Sequence, residues 1–400
     1  MPLSLNCSRN SLYVSLILLL LFLTAACGSQ PEDRPRTDAL VPRAFSNADD
    51  TIHIRVYTGD GLLGGEQGGT TCTYEVHFID VGQGDAILVL TSAATMLVDA
   101  GPVDGNVTDY LRSLDIAGID LVFATHPHAD HIGGMPQLIA SFPIGEIIDP
   151  GVVHTTLTYR NYLKSMDDAD IPYTVGREGL RRSLGDSAFA EIIHPADPDE
   201  DRLNDASLVI RVVLGNITLL LTGDIERRSE EELLASGRLL QSNILKVPHH
   251  GSSTSSHRAF LEAVGPETGI IMCGFLNPFG NPHWQTLASL DASGAMVWRT
   301  DRNGHIIIRS DGHDYLVEVT RDGPPEKISV DINTATAGEL EKIIHIGPER
   351  AAQIIRLRPF ESVDDLIRVD GIGSGRLKDI KRQNIARAGD IYGLQNAMEE

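Results

Sequence analysis

Four side chains that can bind metal ions lie within six residues of this sequence. They stand in the segment His126-Pro127-His128-Ala129-Asp130-His131, which Ile132-Gly133-Gly134 follow. The apolar run before it, residues 120–125, predicts a strand. Because side chains alternate along a strand, His126 and His128 would share one side, while Asp130 and His131 fall where the chain turns toward a helix. This pattern favours two adjacent metal ions over a solvated histidine loop.

Short β-rich runs begin at Tyr74 and alternate with helical patterns at about 107–117, 135–141 and 156–168, which predicts a mixed α/β body. Several of these strands end in acidic residues beside glycines. These residues are Asp80 and Asp85 around Gly82-Gln83-Gly84, Asp99 before Gly101, and Asp224 after Gly223. Such strand ends suit a site along one sheet edge, although a turn would explain each of them alone.

The charge of the chain limits how it can meet nucleic acid. Its 400 residues are enough for two or three domains, and a hydrophobic fraction of 42% is ordinary for a globular protein. The formal net charge of −22 is unusual. Most of such a surface repels nucleic acid, so any DNA contact has to be local. The balance excludes a generic basic DNA-coating protein.

The N-terminus resembles the signal peptide of a bacterial lipoprotein. Arg9 precedes the apolar run 12–23, which is short for a membrane span, and Thr24-Ala25-Ala26-Cys27 follows. The resemblance implies that residues 1–26 are removed and that a lipid on Cys27 anchors the protein outside the cytoplasm. This lipid would be the protein's only contact with the membrane. A plain secretory signal is the alternative, and it implies the same side of the membrane.

Residues 27–71 are rich in Pro, Asp, Arg, Ser and Gly and predict a tether, with one short strand at about 51–57. No second long apolar run follows, so we expect no channel or transporter portion. Cys72 and Cys273 would remain in the mature chain, and whether they pair stays open.

Five segments of the body resemble, in order, the metallo-β-lactamase-fold domain of ComEC-type competence proteins. They are His-Phe-Ile-Asp-Val-Gly-Gln-Gly-Asp-Ala at 77–86, Val-Asp-Ala-Gly at 98–101, the histidine segment, Leu-Thr-Gly-Asp-Ile-Glu at 221–226, and Leu-Lys-Val-Pro-His-His-Gly-Ser at 245–252. The resemblance implies an α/β fold, an αββα sandwich over residues 72–322, with a two-metal site at one edge of the two sheets.

This resemblance implies six ligands for two divalent ions, Zn²⁺ or Mn²⁺. They are His126 and His128 for the first ion, Asp130 and His131 for the second, Asp224 as a bridge between them, and His250. Two ions about 3.5 to 4 Å apart can bring the pKa of a bridging water near neutrality and offset charge on a phosphoryl group. The attacking group would then be hydroxide, with no serine or cysteine nucleophile.

Other residues near the motifs receive supporting roles. His249 competes with His250 as the ligand and would otherwise face the substrate or pack. Asp80 and Asp99 are expected to fix histidine tautomers. His283 resembles the last histidine of the family's Gly-His-Pro-His and joins Asp130 and Asp224 as a predicted catalytic residue. His194 could compensate for a family histidine that is missing near Asn204, although a histidine after an apolar strand is more often structural.

The C-terminal part repeats a helix-turn-helix unit about 26 residues apart. Its turns are Ile344-His345-Ile346-Gly347-Pro348 and Val369-Asp370-Gly371-Ile372-Gly373. Residues 328–388 resemble the tandem helix-hairpin-helix domain of ComEA-type DNA receptors, with His345 where glycine is usual. A helical adaptor that binds protein is the alternative.

The hairpin pattern predicts phosphate binding without base readout. Gly347, Gly371 and Gly373 would expose backbone amides at helix N-termini. Residues 372–388 add a local charge of +4, from Arg376, Lys378, Lys381, Arg382 and Arg387 against Asp379. This flank gives an acidic chain one place to hold DNA.

Together these features favour an extracytoplasmic, metal-dependent nuclease that acts in competence or in extracellular DNA processing. One alternative is a hydrolase of a lactone, thioester or small phosphoester on the same fold. The other is a surface DNA receptor without catalysis. The sequence leaves open which metal binds and whether cleavage is endo- or exonucleolytic.

Overall fold

The computed structural model describes residues 53–58, 61–62, 73–321, 330–383 and 385–388. The predicted signal peptide, Cys27, Cys72 and most of the tether lie outside the described residues, so those predictions stay untested. Within the described residues, no helix is both long enough and apolar enough to cross a membrane.

A ten-stranded sheet forms one half of the body. Its strands, in chain order, are β1 (His53–Thr58), β2 (Gly61–Leu62), β3 (Tyr74–Phe78), β4 (Ile87–Leu90), β5 (Thr95–Val98), β6 (Ile119–Phe123), β7 (Ile144–Asp149), β8 (Tyr173–Val175), β16 (Ile306–Ser310) and β17 (Tyr315–Val319). They lie in the order β2-β1-β17-β16-β3-β4-β5-β6-β7-β8, and β5 to β8 are parallel.

A seven-stranded sheet forms the other half. Its strands are β9 (Arg181–Gly185), β10 (Ala188–His194), β11 (Val209–Leu214), β12 (Ile217–Leu221), β13 (Ile244–Lys246), β14 (Thr268–Ile271) and β15 (Met296–Arg299). They lie in the order β15-β14-β13-β12-β11-β10-β9, and β12 to β15 are parallel.

Helices cover the outer face of each sheet. Those on the first sheet are α1 (Val107–Ser113), α2 (Ala129–Ile132), α3 (Met135–Ser141) and α4 (Leu157–Asp168). Those on the second are α5 (Arg227–Ala235), α6 (Arg258–Val264) and α7 (Trp284–Ser293), and the short α8 (Thr300–Asn303) follows β15.

The main core lies between the sheets, where one apolar face of each is buried. Phe78 and Phe123 of the first sheet share this core with Leu219 and Trp298 of the second. Separate apolar layers join each sheet to its own helices. The predicted αββα sandwich is confirmed.

Strand direction gathers the polar residues at one edge. Strands β5 and β6 are parallel neighbours, so Asp99 and His126 leave the first sheet at the same edge. Strands β12 and β13 are parallel neighbours in the second sheet, which brings Asp224 and His250 together in the same way.

A small helical domain with its own core ends the described chain, as predicted. Its elements are β18 (Val330–Asp331), α9 (Ala337–Leu340), α10 (Pro348–Leu357), a 3₁₀ turn at Val363–Arg368, α11 (Ser374–Gln383) and β19 (Ala386–Arg387). Its core also contains Ala288 of α7, and Trp284 packs against it. Helix α7 therefore belongs to both domains.

The first helix of this domain, α9, is short. It ends at Leu340, because the amides of Ile343 and Ile346 bond to carbonyls three residues back, at 3.0 Å each. Three-residue spacing turns Leu340, Ile343 and Ile346 onto one buried side.

The sheet-to-sheet core gives a direct stability prediction. Leu219→Ala removes a fully buried side chain from the middle of β12 and should lower the free energy of unfolding by about 2–5 kcal/mol. Val103→Ala is the matched control, because Val103 is exposed and its loss should change stability by less than about 0.5 kcal/mol. Urea unfolding measures both, and equal midpoints would contradict the assigned core.

Candidate metal centre

The histidine segment is held at the sheet edge by two close approaches of backbone. His126 comes three residues after the end of β6, and α2 carries Asp130 and His131. A Cβ atom on Gly134 would lie 2.2 Å from the Ala100 carbonyl oxygen, and one on Gly133 would lie 2.6 Å from the Val103 nitrogen. Glycine at both positions therefore lets this segment pack against the loop after β5.

One oxygen of Asp224 lies at the middle of the predicted ligands. Its Oδ2 atom is 3.2 Å from His131 Nε2, 3.2 Å from His250 Nε2 and 4.0 Å from His126 Nε2. Asp130 Oδ2 completes the group at 3.2 Å from His250 Nε2. Ligand atoms of Asp130, His131, Asp224 and His250 all lie within 4.8 Å of one another.

Two buried nitrogens in this cluster have the properties of metal ligands. His131 Nδ1 lies 2.7 Å from Asp99 Oδ2, and His250 Nδ1 lies 2.9 Å from the carbonyl oxygen of Met272. Each Nδ1 therefore donates its hydrogen, so that Nε2 is the atom that can bind either a proton or a cation. Both Nε2 atoms are buried without a hydrogen-bond partner and face carboxylates, so the residues fit a divalent cation.

Two further histidine nitrogens face each other beside this group. His126 Nε2 and His128 Nδ1 lie 2.9 Å apart, and the ring of His128 is half-buried beside that of His154. Burial lowers the pKa of His126 well below its ordinary value, so the ring is neutral at neutral pH, as a ligand must be. The structure thus brings all six predicted ligands to one edge.

The acidic groups set the charge of the two buried histidines. Although burial opposes a charged ring, the Asp224 and Asp99 carboxylates raise the pKa of His131 well above its ordinary value. The pKa of His250 is raised in the same way by Asp224 and Asp85, against burial. The carboxylates therefore attract either two protons or a cation.

Asp99 occupies the position expected of a residue that orients histidine. Besides His131, its carboxylate accepts hydrogen bonds from the Thr125 amide and hydroxyl, each at 2.7 Å. Asp80 does not orient any of the predicted ligands, and this part of the prediction is corrected. Among the described residues its carboxylate pairs with Arg321 and accepts from the Gly82 amide, while its own amide donates to Nδ1 of His305 at 3.0 Å.

Asp85 and Lys246 also belong to the centre, although the sequence predicted a specific role for neither of them. Lys246 is fully buried, pairs directly with Asp85, lies 3.5 Å from Asp224 Oδ1 and donates to the Gly223 carbonyl at 2.9 Å. Burial disfavours the ammonium, but Asp85 and Asp224 raise the pKa of Lys246, so it stays charged. The sequence feature that could have identified Lys246 is its position as the one lysine in the apolar run from 244 to 247.

The remaining predicted histidines lie around the cluster rather than in it. His249 Nδ1 is 3.1 Å from Thr254 Oγ1 and 3.3 Å from Glu226 Oε1. His283 precedes α7, and its Nδ1 accepts from the Ser253 amide at 2.9 Å, which leaves Nε2 to carry the hydrogen. His194 lies 3.0 Å from the Asp205 carbonyl oxygen, so it supports a loop and does not replace the missing ligand.

The two hairpin turns of the C-terminal domain are joined by one arginine. Arg350 donates to the His345 carbonyl at 2.9 Å and to the Asp370 carbonyl at 3.1 Å. Gly371 needs to be glycine, because its φ is +78° and a Cβ there would lie 2.8 Å from Arg350 Nη2. The second turn is therefore fixed in shape.

The predicted phosphate-binding residues lie around these turns. Gly347 precedes α10, and Gly373 lies just before α11, whose Leu377 amide bonds to the Gly373 carbonyl at 3.0 Å. Arg376 bonds to the Gly371 carbonyl. Lys378 is exposed, whereas Lys381 is paired with Asp364 at 3.0 Å.

Metal binding at this centre should release protons. Because the pKa values of His131 and His250 are raised above the ordinary 6.5, both rings bind protons near neutral pH, and a cation must displace them. The apparent metal affinity should therefore rise with pH until the raised pKa values are passed, then level off. Titration calorimetry of the metal-stripped protein in two buffers of different ionisation enthalpy measures the protons released.

His313→Ala is the control for this titration, because that exposed histidine lies in the β16–β17 turn and bonds to Asn216. It should release the same number of protons as the unchanged protein. A pH-independent metal affinity would contradict the assignment of His131 and His250 as ligands.

Comparison with known proteins agrees with this geometry. Residues 79–274 match the metallo-β-lactamase superfamily, and residues 326–383 match the helix-hairpin-helix motif. The ComE operon protein 3 of Bacillus subtilis is 27% identical over 255 residues, which are 59% of this chain and 33% of that protein. The competence protein ComA of Neisseria gonorrhoeae is 32% identical over 229 residues, 56% of this chain and 30% of that protein.

A deoxyribonuclease of Thioalkalivibrio is 40% identical over 74 residues, 18% of this chain and 20% of that protein. The chain spans about a third of the length of the two competence relatives. This chain therefore contains a metallo-β-lactamase-superfamily domain that is similar to part of two competence proteins, and a helix-hairpin-helix motif follows it.

Proposed function

We propose that the protein is an extracytoplasmic, metal-dependent DNA phosphodiesterase whose helix-hairpin-helix domain holds the substrate. The observation that carries this proposal is helix α7. His283 lies directly before this helix and its ring bonds to the loop after His250, while Trp284 and Ala288 of the helix pack against the helical domain. The helix-hairpin-helix domain is thus attached beside the predicted metal ligands.

The protein groups of the centre suit phosphodiester hydrolysis. Divalent ions bound by the six ligands would polarise phosphoryl oxygens and make a water molecule nucleophilic at neutral pH. Asp99 and the Met272 carbonyl hold His131 and His250 so that their Nε2 atoms stay available. Lys246 neutralises part of the charge on Asp85 and Asp224, which reduces the repulsion between these two buried carboxylates.

His283 is the residue we propose as proton donor. Since its Nδ1 accepts from the Ser253 amide, its Nε2 carries hydrogen and can donate to a phosphoryl oxygen or to the leaving group. Asp130 and Asp224 would contribute by holding the ions. Hydrolysis then needs no covalent intermediate with the protein.

Two kinds of similarity support DNA as the substrate. The relatives include two competence proteins and, over a shorter stretch, a protein named deoxyribonuclease. The helix-hairpin-helix match adds a domain type that binds phosphate backbones through turns at helix N-termini. An anchor at Cys27 would keep this activity outside the cytoplasm.

A DNA receptor without catalysis is the second candidate, and one observation favours it. Asn204 and Asp205 stand where many related hydrolases supply a further histidine, so an ion at His126 and His128 would have one protein ligand fewer than in those enzymes. Turnover of DNA separates the two candidates.

Loss of either predicted metal should abolish DNA cleavage. His128→Ala and Asp224→Ala should each reduce the rate with Zn²⁺ or Mn²⁺ by at least about 100-fold, because each removes a ligand. His313→Ala should cleave at the unchanged rate. Cleavage of linear and circular DNA on gels measures the rate and separates exo- from endonucleolytic attack, and unchanged cleavage in both variants would sink the mechanism.

The helical domain should determine salt-sensitive duplex binding. Lys378→Ala removes one exposed cation of the basic flank, so the slope of log affinity against log salt concentration should fall by about one. Lys342→Ala is the control, because Lys342 lies in the same domain but outside that flank. Filter binding of a duplex across salt concentrations measures both, and an unchanged slope for Lys378→Ala would exclude this flank as the contact.

A further inference from the structure

The most exposed apolar side chains of the described residues border the metal centre. Six of them have between 63% and 84% of their surface exposed, a larger fraction than any other large apolar side chain described. They are Val103, Val153, Leu157, Phe275, Leu276 and Phe279. Apolar surface of this kind marks a place where something binds.

The loop 274–281 carries three of these side chains and is fixed to the centre at both ends. At its start, Gly274 donates to the Gln83 side chain at 3.2 Å, and the Met272 carbonyl just before it accepts from His250. After its end, the His283 amide donates to the Gly251 carbonyl at 2.9 Å. The loop therefore lies directly beside the ligand-bearing segments.

One asparagine holds this loop in a fixed shape. The Asn277 side chain donates to the Gly274 carbonyl at 2.9 Å and to the Asn281 carbonyl at 2.6 Å, and it accepts from the Asn281 amide at 3.0 Å. These bonds tie the two ends of the loop together. Phe275 and Phe279 are thus exposed to solvent on a loop with a fixed shape, so binding would cost little conformational entropy of this loop.

The other three apolar side chains border the histidine segment. The backbone of Val103 lies against Gly133, since a Cβ atom on Gly133 would be 2.6 Å from the Val103 nitrogen. Val153 and Leu157 flank His154, whose ring centre is 5.9 Å from that of His128. The centre is therefore bordered by apolar surface both at the histidine segment and at the loop 274–281.

We propose that Phe275 and Phe279 form a stacking platform for unpaired nucleobases, so that the centre acts on a single DNA strand while the helical domain holds the backbone nearby. This inference rests on the proposed function and specifies its substrate. Stacking on aromatic rings binds bases of any sequence, because every base has a flat face. It would therefore add sequence-independent affinity beside the metal centre of a chain whose formal net charge is −22.

The composition of the loop favours bases over an anionic membrane surface. Its eight residues, Gly-Phe-Leu-Asn-Pro-Phe-Gly-Asn, contain no Lys or Arg, whereas surface binding to anionic lipid depends on such residues.

The test uses the metal-loaded full chain and nuclease-resistant phosphorothioate strands of about 20 nucleotides. Fluorescence anisotropy gives the affinity for a single strand and for a duplex. A 2-aminopurine base in the strand reports stacking directly, because its fluorescence is quenched on an aromatic ring. The variants are Phe275→Ala, Phe279→Ala and the double variant, with Phe275→Tyr and Phe279→Tyr to restore a ring.

Leu239→Ala is the matched control, because Leu239 is also highly exposed but precedes β13, at the opposite end of that strand from His250. It should bind a single strand as the unchanged protein does. Each alanine variant should lower the affinity for a single strand by about tenfold and reduce the quenching of 2-aminopurine. The affinity for a duplex should stay unchanged. The tyrosine variants should retain both signals.

Unchanged single-strand affinity and quenching in the double alanine variant would overturn the inference. A second outcome would also overturn it: the double alanine variant loses binding to vesicles of anionic and neutral lipid but still binds DNA. The patch would then be a membrane contact. Failure of the proposed function looks different: ordinary DNA would stay uncut while stacking depended on both phenylalanines.

Discussion

The centre depends on a single carboxylate that the fold buries among positive partners. Asp224 follows β12 and reaches His131 and His250 through one oxygen, while its other oxygen faces Lys246. A buried carboxylate is costly unless it is paired, and burial alone would raise its pKa. The charges of His250, His131 and Lys246 overcome this effect and hold the pKa of Asp224 well below its ordinary value. Both sheets must therefore meet at the correct edge for Asp224 to be stable there.

Much of this arrangement could be predicted from sequence because it follows strand ends. Histidines and aspartates that come after parallel strands share an edge, and the motifs around His126, Asp224 and His250 lie at such positions. Lys246 and Asp85 could not be assigned in this way, since their pairing joins the two sheets. Asp80 shows the converse limit: it ends a strand as Asp99 does, yet its partner is Arg321, more than two hundred residues away in sequence.

The same contrast holds for the helical domain. The repeated turns around Gly347 and Gly371 predicted where α10 and α11 begin, because glycine and local hydrogen bonds fix such turns. Its attachment through Trp284 and Ala288 of α7 had no local pattern to reveal it. That attachment relates the proposed DNA-binding surface to the candidate metal centre, and the exposed loop 274–281 lies just before the shared helix.

Anomalous diffraction from crystals of the chain loaded with Zn²⁺ or Mn²⁺ tests the central claim most directly. The account predicts two peaks on either side of Asp224, one beside His126 and His128 and the other beside His131 and His250. A single peak, or peaks that do not touch Asp224, would contradict it.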